Sequence, residues 1–338
     1  MKNLELDKYI NDEQLNKLAD FLLNLNLPIF INGHINTDYD SICSGLTLSY
    51  VLNQVGKNAK MIFSKDAEIL YNRVKDNDFD EFIINKFEKP LCSKYVGILV
   101  DMNSTYRASQ EQMFLDASVK INIDHHDNNN MICDIKYVDE NAGANSENIL
   151  KLCFIIEKKT GKKILNKYMA KLLCMGIITD TSNIVKSTNL AQTRWAINII
   201  ESFGISAKEI ADTVYNNLNA EQLKILDESL KSKQTFGIIS YYSIDETKIP
   251  ESDIIHNDYC KVLSEIVDRD SNPVVLYEQI KSYSSVWEFR SSDIENYPVN
   301  EIALYFGGGG HKNASGATIK DKSAKEVVEA FNKVFNKK

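Results

Sequence analysis

Three short apolar runs in this chain end abruptly in acids and histidines, the side chains most able to hold a metal or move a proton. IFIN runs into Gly33-His34-Ile35-Asn36-Thr37-Asp38-Tyr39-Asp40, YVGILV into Asp101, and VKINI into Asp124-His125-His126. A fourth apolar run, in MGIITDTSN, gives way to Asp180. Singly, each residue has an ordinary reading: Asp38 and Asp40 can cap the helix that follows, and a loop histidine is usually a surface residue. Together they read differently. They include three of the five histidines in the chain, and carboxylates gathered at one edge repel one another unless a cation offsets them. Mixed imidazole and carboxylate donors suit manganese, iron or zinc better than calcium, and an excess of carboxylate favours two ions that share one acid.

Something must bring these endings to one edge, and the apolar periodicity supplies it. IFIN at 29–32, KMIF at 60–63, YVGILV at 95–100 and VKINI at 119–123 are β-prone runs, separated by helical patterns near 40–55 and 107–116. Near-continuous apolar strands divided by helices imply a parallel sheet covered on both faces. In such sheets the ligand crevice lies outside the carboxyl ends of the strands. From about 143 to 217 the pattern is mainly helical, and the lysine-rich stretch at 219–236 has helical propensity. Beyond it GIISYYSI, PVVLYEQI and VWEFR alternate as strands do, ahead of a final helix at 323–335. The expected fold is therefore α/β. A parallel-sheet domain spans residues 1–217, a helical connector 218–236, and a smaller α/β domain 237–338.

Composition narrows the function classes. A length of 338 residues suits two domains, and 43% apolar with 25% charged residues is ordinary for a globular protein. The net charge of −8 argues against a partner of long duplex nucleic acid, which needs many basic contacts, but leaves short nucleotides open. No run approaches the roughly 18 apolar residues of a membrane span, and the acid-dotted N-terminus lacks a signal peptide's apolar core. A cytoplasmic location without a membrane partner is expected, with monomer or homodimer left open. The six cysteines form no CxxC pair and read as reduced, small apolar residues. His256 reads as a loop or packed residue. Tyr241, Tyr242 and Tyr283 could stack on a base but read more simply as strand residues.

His34, Asp38 and Asp40 in GHINTDYDSICSG, Asp101 in LVDMNSTYR, Asp124-His125-His126 in NIDHHDN and Asp180 in GIITDTSN resemble, in order and spacing, the four motifs of the DHH phosphoesterase superfamily. That superfamily includes family II pyrophosphatases, RecJ-type exonucleases, cyclic-dinucleotide phosphodiesterases and small nanoRNases that double as pAp phosphatases. The likeness continues through Val299-Asn300-Glu301-Ile302-Ala303 to Gly307-Gly308-Gly309-Gly310-His311-Lys312-Asn313-Ala314-Ser315-Gly316-Ala317, which resembles the signature of a DHH-associated substrate-binding domain. Thr37, Cys43 and Met102 depart from the usual motif residues, and none of them replaces a proposed ligand.

The resemblance implies roles. His34 and Asp38 would hold one divalent ion, Asp40, His125 and Asp180 a second, with Asp101 bridging; manganese is the expected metal. His126 would contact the scissile phosphate, with Asp101 and Asp124 completing the catalytic set and Asp124 orienting a histidine. Arg107, read as opening a helix, Arg290, Ser291, Gly308, Gly309, Gly310, His311 and Ser315 would bind substrate. In that reading the glycines expose N–H groups to a phosphate, and the Arg290 fork grips a terminal phosphate. The expected function is hydrolysis of short RNA and linear dinucleotides such as pApA or pGpG to mononucleotides, with 3′-phosphatase activity on pAp. Its alternatives are a cyclic di-AMP phosphodiesterase and a non-catalytic nucleotide-binding module.

Overall fold

The run Ile29–Asn32 forms β1, and its two neighbours explain how the sheet is laid out. In the computed structural model, residues 8–35, 37–62, 67–74, 83–84, 94–127, 129–215, 220–245, 247, 267 and 270–335 are described; His256 lies outside them. Two units separate between Val214 and Tyr215. In the first, β1 is followed by β2 (Ala59–Ile62), β3 (Ile83–Ile84), β4 (Val96–Val100), β5 (Val119–Asp124) and β6 (Ile135–Val138). All pair in parallel, in the order β3-β2-β1-β4-β5-β6. The chain steps outward from β1 to β3, then returns to β4 on the other side of β1. At that reversal successive connections leave in opposite directions, and a crevice opens at the strands' carboxyl ends.

Burial follows from the pattern. Every residue of β4 is buried, as a central parallel strand requires. Helices α1 (Glu13–Asn24), α2 (Tyr39–Gln54), α3 (Glu68–Val74), α4 (Glu111–Leu115), α5 (Asn145–Thr160), α6 (Lys167–Asp180), α7 (Leu190–Glu201) and α8 (Ala207–Tyr215) complete the unit. Asp38 starts α2 by accepting the Ser41 N–H at 2.9 Å. Packed against β2, α5 and α6, α2 is buried nearly all round. The helical stretch expected at 107–116 divides into a 3-10 turn at Thr105–Arg107 and the short α4. Arg107 therefore ends a turn and does not open a helix. Strand β6, four residues long with one buried side chain, lies outside the strands expected from sequence.

The second unit holds a mixed sheet. Its strands are β7 (Gln234–Phe236), β8 (Ile239–Asp245), β9 (Val274–Ile280), β10 (Ser285–Ser291), β11 (Gly309–Gly310) and β12 (Ala314–Ile319), in the order β11-β12-β10-β9-β8-β7. Helix α9 (Ala220–Lys231) packs against β8, and β7 pairs with β8, so the described part of the stretch read as a connector is built into this unit. Alternation along β10 sends Trp287 and Phe289 into a core shared with Val299, Ile302, Val327 and Phe331, the last four from α10 (Asn300–Tyr305), its cap and α11 (Ala324–Phe335). Tyr241 and Tyr242 are buried, their hydroxyls donating to Glu278 and Asp270, so neither offers a face to a base. Tyr283 lies exposed between β9 and β10. Among the described residues, Cys43, Cys133, Cys153 and Cys174 are free thiols, and no helix is long and apolar enough to cross a membrane.

Trp287 is fully buried, so Trp287→Ala should cost about 3–5 kcal/mol. Urea unfolding followed by circular dichroism should show this as a lower midpoint for the transition of the second unit.

Candidate metal centre

The ends of β1, β4 and β5 and the last residue of α6 meet in one buried pocket. His34 follows β1, Asp101 follows β4, His125 follows β5, and Asp180 closes α6. From α2 come Asp38 at the cap and Asp40 in the first turn. Asp101 is the common element. One carboxylate oxygen, Oδ2, lies 3.5 Å from His34 Nε2; the other, Oδ1, lies 3.2 Å from His125 Nε2. His34 Nε2 is also 3.7 Å from Asp38, and His125 Nε2 is 3.3 Å from Asp180 and 3.9 Å from Asp40. Donor atoms of His34, Asp38 and Asp101 thus gather in one group, and those of Asp40, Asp101 and His125 in a second. All six residues expected as ligands converge.

Backbone geometry enforces the sharing. Asp101 has φ 59, a left-handed conformation uncommon for a residue with a side chain, and it is buried. Its N–H donates to the Ile123 carbonyl at 3.0 Å, and the Asn122 amide donates to the Met102 carbonyl at 3.0 Å, pinning the turn to β5. Strain of this kind persists where the surroundings over-determine it.

The imidazoles are oriented as metal ligands are. His34 Nδ1 lies 2.8 Å from the Ile35 carbonyl, and His125 Nδ1 lies 3.2 Å from the Ala142 carbonyl. A carbonyl accepts only from N–H, so each ring carries its proton on Nδ1 and turns Nε2 toward the carboxylates. That is the arrangement in which a neutral histidine offers a lone pair to an ion. His126 differs: its Nδ1 sits 2.7 Å from Asp124 Oδ1, and Asn129 donates at 2.7 Å to the other Asp124 oxygen. Asp124 therefore orients His126, which stands 3.8 Å from Asp101.

Electrostatics agree with a site built for cations. Burial, then the charges of Asp101 and Asp180, raise Asp40 well above the usual carboxylate range. Burial raises Asp180, His125 pulls it back, and Asp101 and Asp38 raise it again, to about 6. For Asp101, burial is outweighed by hydrogen bonds to His125 and His34, which hold its carboxyl low. Burial lowers His34, but the Asp38 charge and hydrogen bonds to Asp101 and Asp38 push it up to about 10; the Arg107 charge opposes them, so this arginine lies within electrostatic reach. In the absence of an ion, protons on imidazole do the neutralising. The donor set, its Nε2 orientation and its excess of carboxylate fit two divalent ions.

Asp40 is held by residues that motif reading did not single out. Helix α5 begins after Ala144, which has no side chain to cap it. Its first N–H groups go instead to Asp40: Asn145 donates to Oδ2 at 2.6 Å, and Ser146 donates to Oδ1 through its N–H at 2.9 Å and its hydroxyl at 2.5 Å. A helix N-terminus thus holds the carboxylate. Gly176, inside α6, leaves the room: a Cβ there would lie 2.1 Å from Ser146 Oγ and 2.7 Å from Asp40 Oδ1. A glycine amid an apolar helical run is the one sequence signal that could have pointed here.

In the second unit Arg290 stands opposite Ala314 in the β10–β12 register, beside the glycine-rich turn, and the Ser291 N–H donates to the Asn313 carbonyl at 2.9 Å. The turn corrects the expectation of free phosphate-binding amides for Gly307, Gly308 and His311. The Gly307, Gly308 and His311 N–H groups donate to the carbonyls of Leu304, Ala303 and Ala314, and Gly309 and Gly310 pair with Gly316 and Ser315. Gly308 is glycine because a Cβ would lie 2.0 Å from the Gly316 carbonyl oxygen. Ser315 donates to the Val299 carbonyl at 2.7 Å, and the Ser291 hydroxyl accepts from the Asp293 N–H at 3.1 Å. Both serines lie on the helix-covered side of the sheet, opposite Arg290, and serve the turn and not a ligand on the Arg290 face.

Gly176→Ala should weaken manganese binding by about tenfold or more, the usual effect of disturbing the groups that orient a ligand. Calorimetric titration of the metal-free protein measures it. An unchanged affinity would show that Asp40 does not depend on the Ser146 contact.

Comparison with known proteins bears on the same residues. Residues 28–177 match the DHH family, N-terminal domain, and residues 253–337 match the DHHA1 domain. The bifunctional oligoribonuclease and PAP phosphatase NrnA of Mycoplasma genitalium is 26% identical over 87% of this chain and 89% of its own length. A probable manganese-dependent inorganic pyrophosphatase of Clostridium acetobutylicum is 31% identical over 49% of this chain and 51% of its own. Among solved structures, an exopolyphosphatase-related protein from Bacteroides fragilis has the same fold over 96% of both chains, with a TM-score of 0.71 at 20% identity. The chain carries a DHH family N-terminal domain followed by a DHHA1 domain.

Proposed function

We propose that this protein hydrolyses short oligoribonucleotides and linear dinucleotides such as pApA or pGpG to mononucleotides, and removes the 3′-phosphate of pAp. The observation that carries the reading is the double use of Asp101, whose two oxygens face two separate sets of donors. In support, the Mycoplasma relative that aligns along most of the chain is named as an oligoribonuclease and PAP phosphatase. In this reading His34 and Asp38 hold one divalent ion, Asp40, His125 and Asp180 hold the other, Asp101 bridges them, and manganese is the metal. Bound ions of this kind supply Lewis-acid polarisation of phosphoryl oxygens and acidify an attacking water.

The chain's own groups do the remainder. Asp124 keeps the His126 proton on Nδ1 or shares it there, so that Nε2 is the nitrogen turned to a substrate. From that position His126 hydrogen-bonds the phosphate as charge grows on its oxygens. Arg107, half-buried beside the pocket, adds a positive charge to offset a phosphodiester. Arg290, partly exposed on the face of β10 opposite Trp287 and Phe289, offers a planar fork suited to a terminal phosphate.

Incubating the protein with manganese and, separately, linear diadenylate, cyclic di-AMP, pAp and pyrophosphate tests the reading. Diadenylate and pAp should be the good substrates; cleavage of pyrophosphate with both left intact would sink the proposal. His126→Gln should lower kcat on diadenylate by about 100-fold or more, with a smaller change in KM, since loss of one donor to a developing oxyanion costs that much.

Metal loading should also depend on pH, with a definite sign. His34 keeps its proton up to about 10 in the metal-free fold, so an ion must displace that proton. Manganese binding should release protons and weaken as pH falls from about 9 to about 6. Titrations in buffers of different ionisation enthalpy measure the protons released; no release would contradict the assignment of His34.

A further inference from the structure

Arg290 does not act alone on its strand. Glu288, two residues earlier and therefore on the same face of β10, accepts from the Arg290 guanidinium at 2.8 Å through Oε2. Its other oxygen accepts from the buried Gln279 amide at 3.3 Å. The carboxylate is thus tied on one side to β9 and on the other to the arginine, and both charged side chains keep part of their surface open, 21% for Arg290 and 23% for Glu288. On the neighbouring strand Glu288 stands opposite Gly316, which is paired in turn with Gly309. Gly316 cannot enlarge, because a Cβ there would lie 2.9 Å from the Trp287 carbonyl oxygen. The strand positions between Glu288 and the glycine-rich turn, Gly316 and Gly309, therefore carry no side chain. The pair is mostly buried, and the cost of desolvating two charges offsets much of their attraction, so stability is a weak explanation for an acid beside the arginine.

The chemistry of the pair is selective. A lone arginine attracts any phosphate, inorganic pyrophosphate included. An arginine with a carboxylate at its side is nearly neutral overall, and it favours a ligand that brings a hydrogen-bond donor next to its phosphate. Ribonucleotides do so, since the ribose hydroxyls lie close to the phosphate esters. A carboxylate oxygen has two lone pairs and can hold a guanidinium and a hydroxyl together.

We infer that Glu288 positions Arg290 and reads the 2′-hydroxyl of the substrate's ribose, making the second unit selective for RNA over DNA fragments and over inorganic phosphates. The inference deepens the proposed function and rests on it for the choice of ligand. A site that hydrogen-bonds a substrate hydroxyl discriminates strongly against the analogue lacking it.

Calorimetric binding of the ribo and 2′-deoxyribo forms of diadenylate to the full-length protein in chelator, where nothing is cleaved, tests it. The unsubstituted protein should bind the ribo form about tenfold tighter or more, the size expected for a hydroxyl bonded to a charged acceptor. In Glu288→Ala the two affinities should fall within about threefold of each other, and Glu288→Asp should restore part of the preference. Glu288→Gln, close in size, gives the same comparison should the alanine variant fail to fold. Equal binding of both forms by the unsubstituted protein, or an undiminished preference in the variants, overturns the inference. Failure of manganese-supported turnover with the binding preference intact would count against the proposed reaction alone.

Discussion

The first unit is organised around an electrostatic constraint: four carboxylates and two imidazoles meet in a pocket largely closed to water. Asp40, Asp101 and His125 are fully buried, and Asp38 and Asp180 are partly so. Like charges this close, with little water between them, cannot all stay ionised unless something positive is interposed. The carboxylates accordingly raise the proton affinity of the His34 and His125 imidazoles, and burial with like charges pushes Asp40 and Asp180 above the usual carboxylate range. A pair of divalent ions meets the demand for positive charge, which is why the same arrangement that is costly as bare protein is suited to binding cations.

The rest of the unit can be read as what that constraint requires. A parallel sheet brings its strand ends to one edge, and the reversal between β1 and β4 opens the crevice there. Asp101 occupies this point and takes up a left-handed backbone, so that its two oxygens face opposite ways. The N-terminus of α5 meets Asp40 instead of a cap of its own, which places positive helix-end dipoles against the most repelled carboxylate. Gly176 then follows as the residue that lets α6 approach this contact. A substitution at Gly176, which offers no donor atom of its own, can therefore act on the site through packing.

Much of this was legible in the sequence, and the limit has a physical cause. Strands β1, β4 and β5 announce themselves as apolar runs, and their acids and histidines follow at once, so local pattern suffices to find the side chains that converge there. Asp38 shows that the ordinary and functional readings can coexist, for it caps α2 and also stands 3.7 Å from His34. What could not be read depends on contacts between segments far apart in the chain. Ser146 is 106 residues from Asp40, and nothing in ANSENI tells which carboxylate will take its hydrogen bonds. Asn129 is a similar case, useful only because the turn after β5 folds back onto Asp124.

The glycine-rich turn shows how a correct motif can carry the wrong physical reason. Glycines suggest exposed amides, yet in this turn the amides are mostly consumed by main-chain carbonyls, and two glycines are demanded by close backbone approach. The turn's contribution is consequently one of shape. The turn keeps β11 and β12 free of bulk beside Arg290 and Glu288. The division of labour between the units then has a simple basis. The first concentrates negative charge that bound cations would relieve, and in the proposed function it would recognise a phosphate through those ions with little regard for what the phosphate is attached to. Discrimination among phosphate esters must come from groups that sense the attached sugar or base, and a paired arginine and glutamate beside the glycine-rich turn has the chemistry to do so.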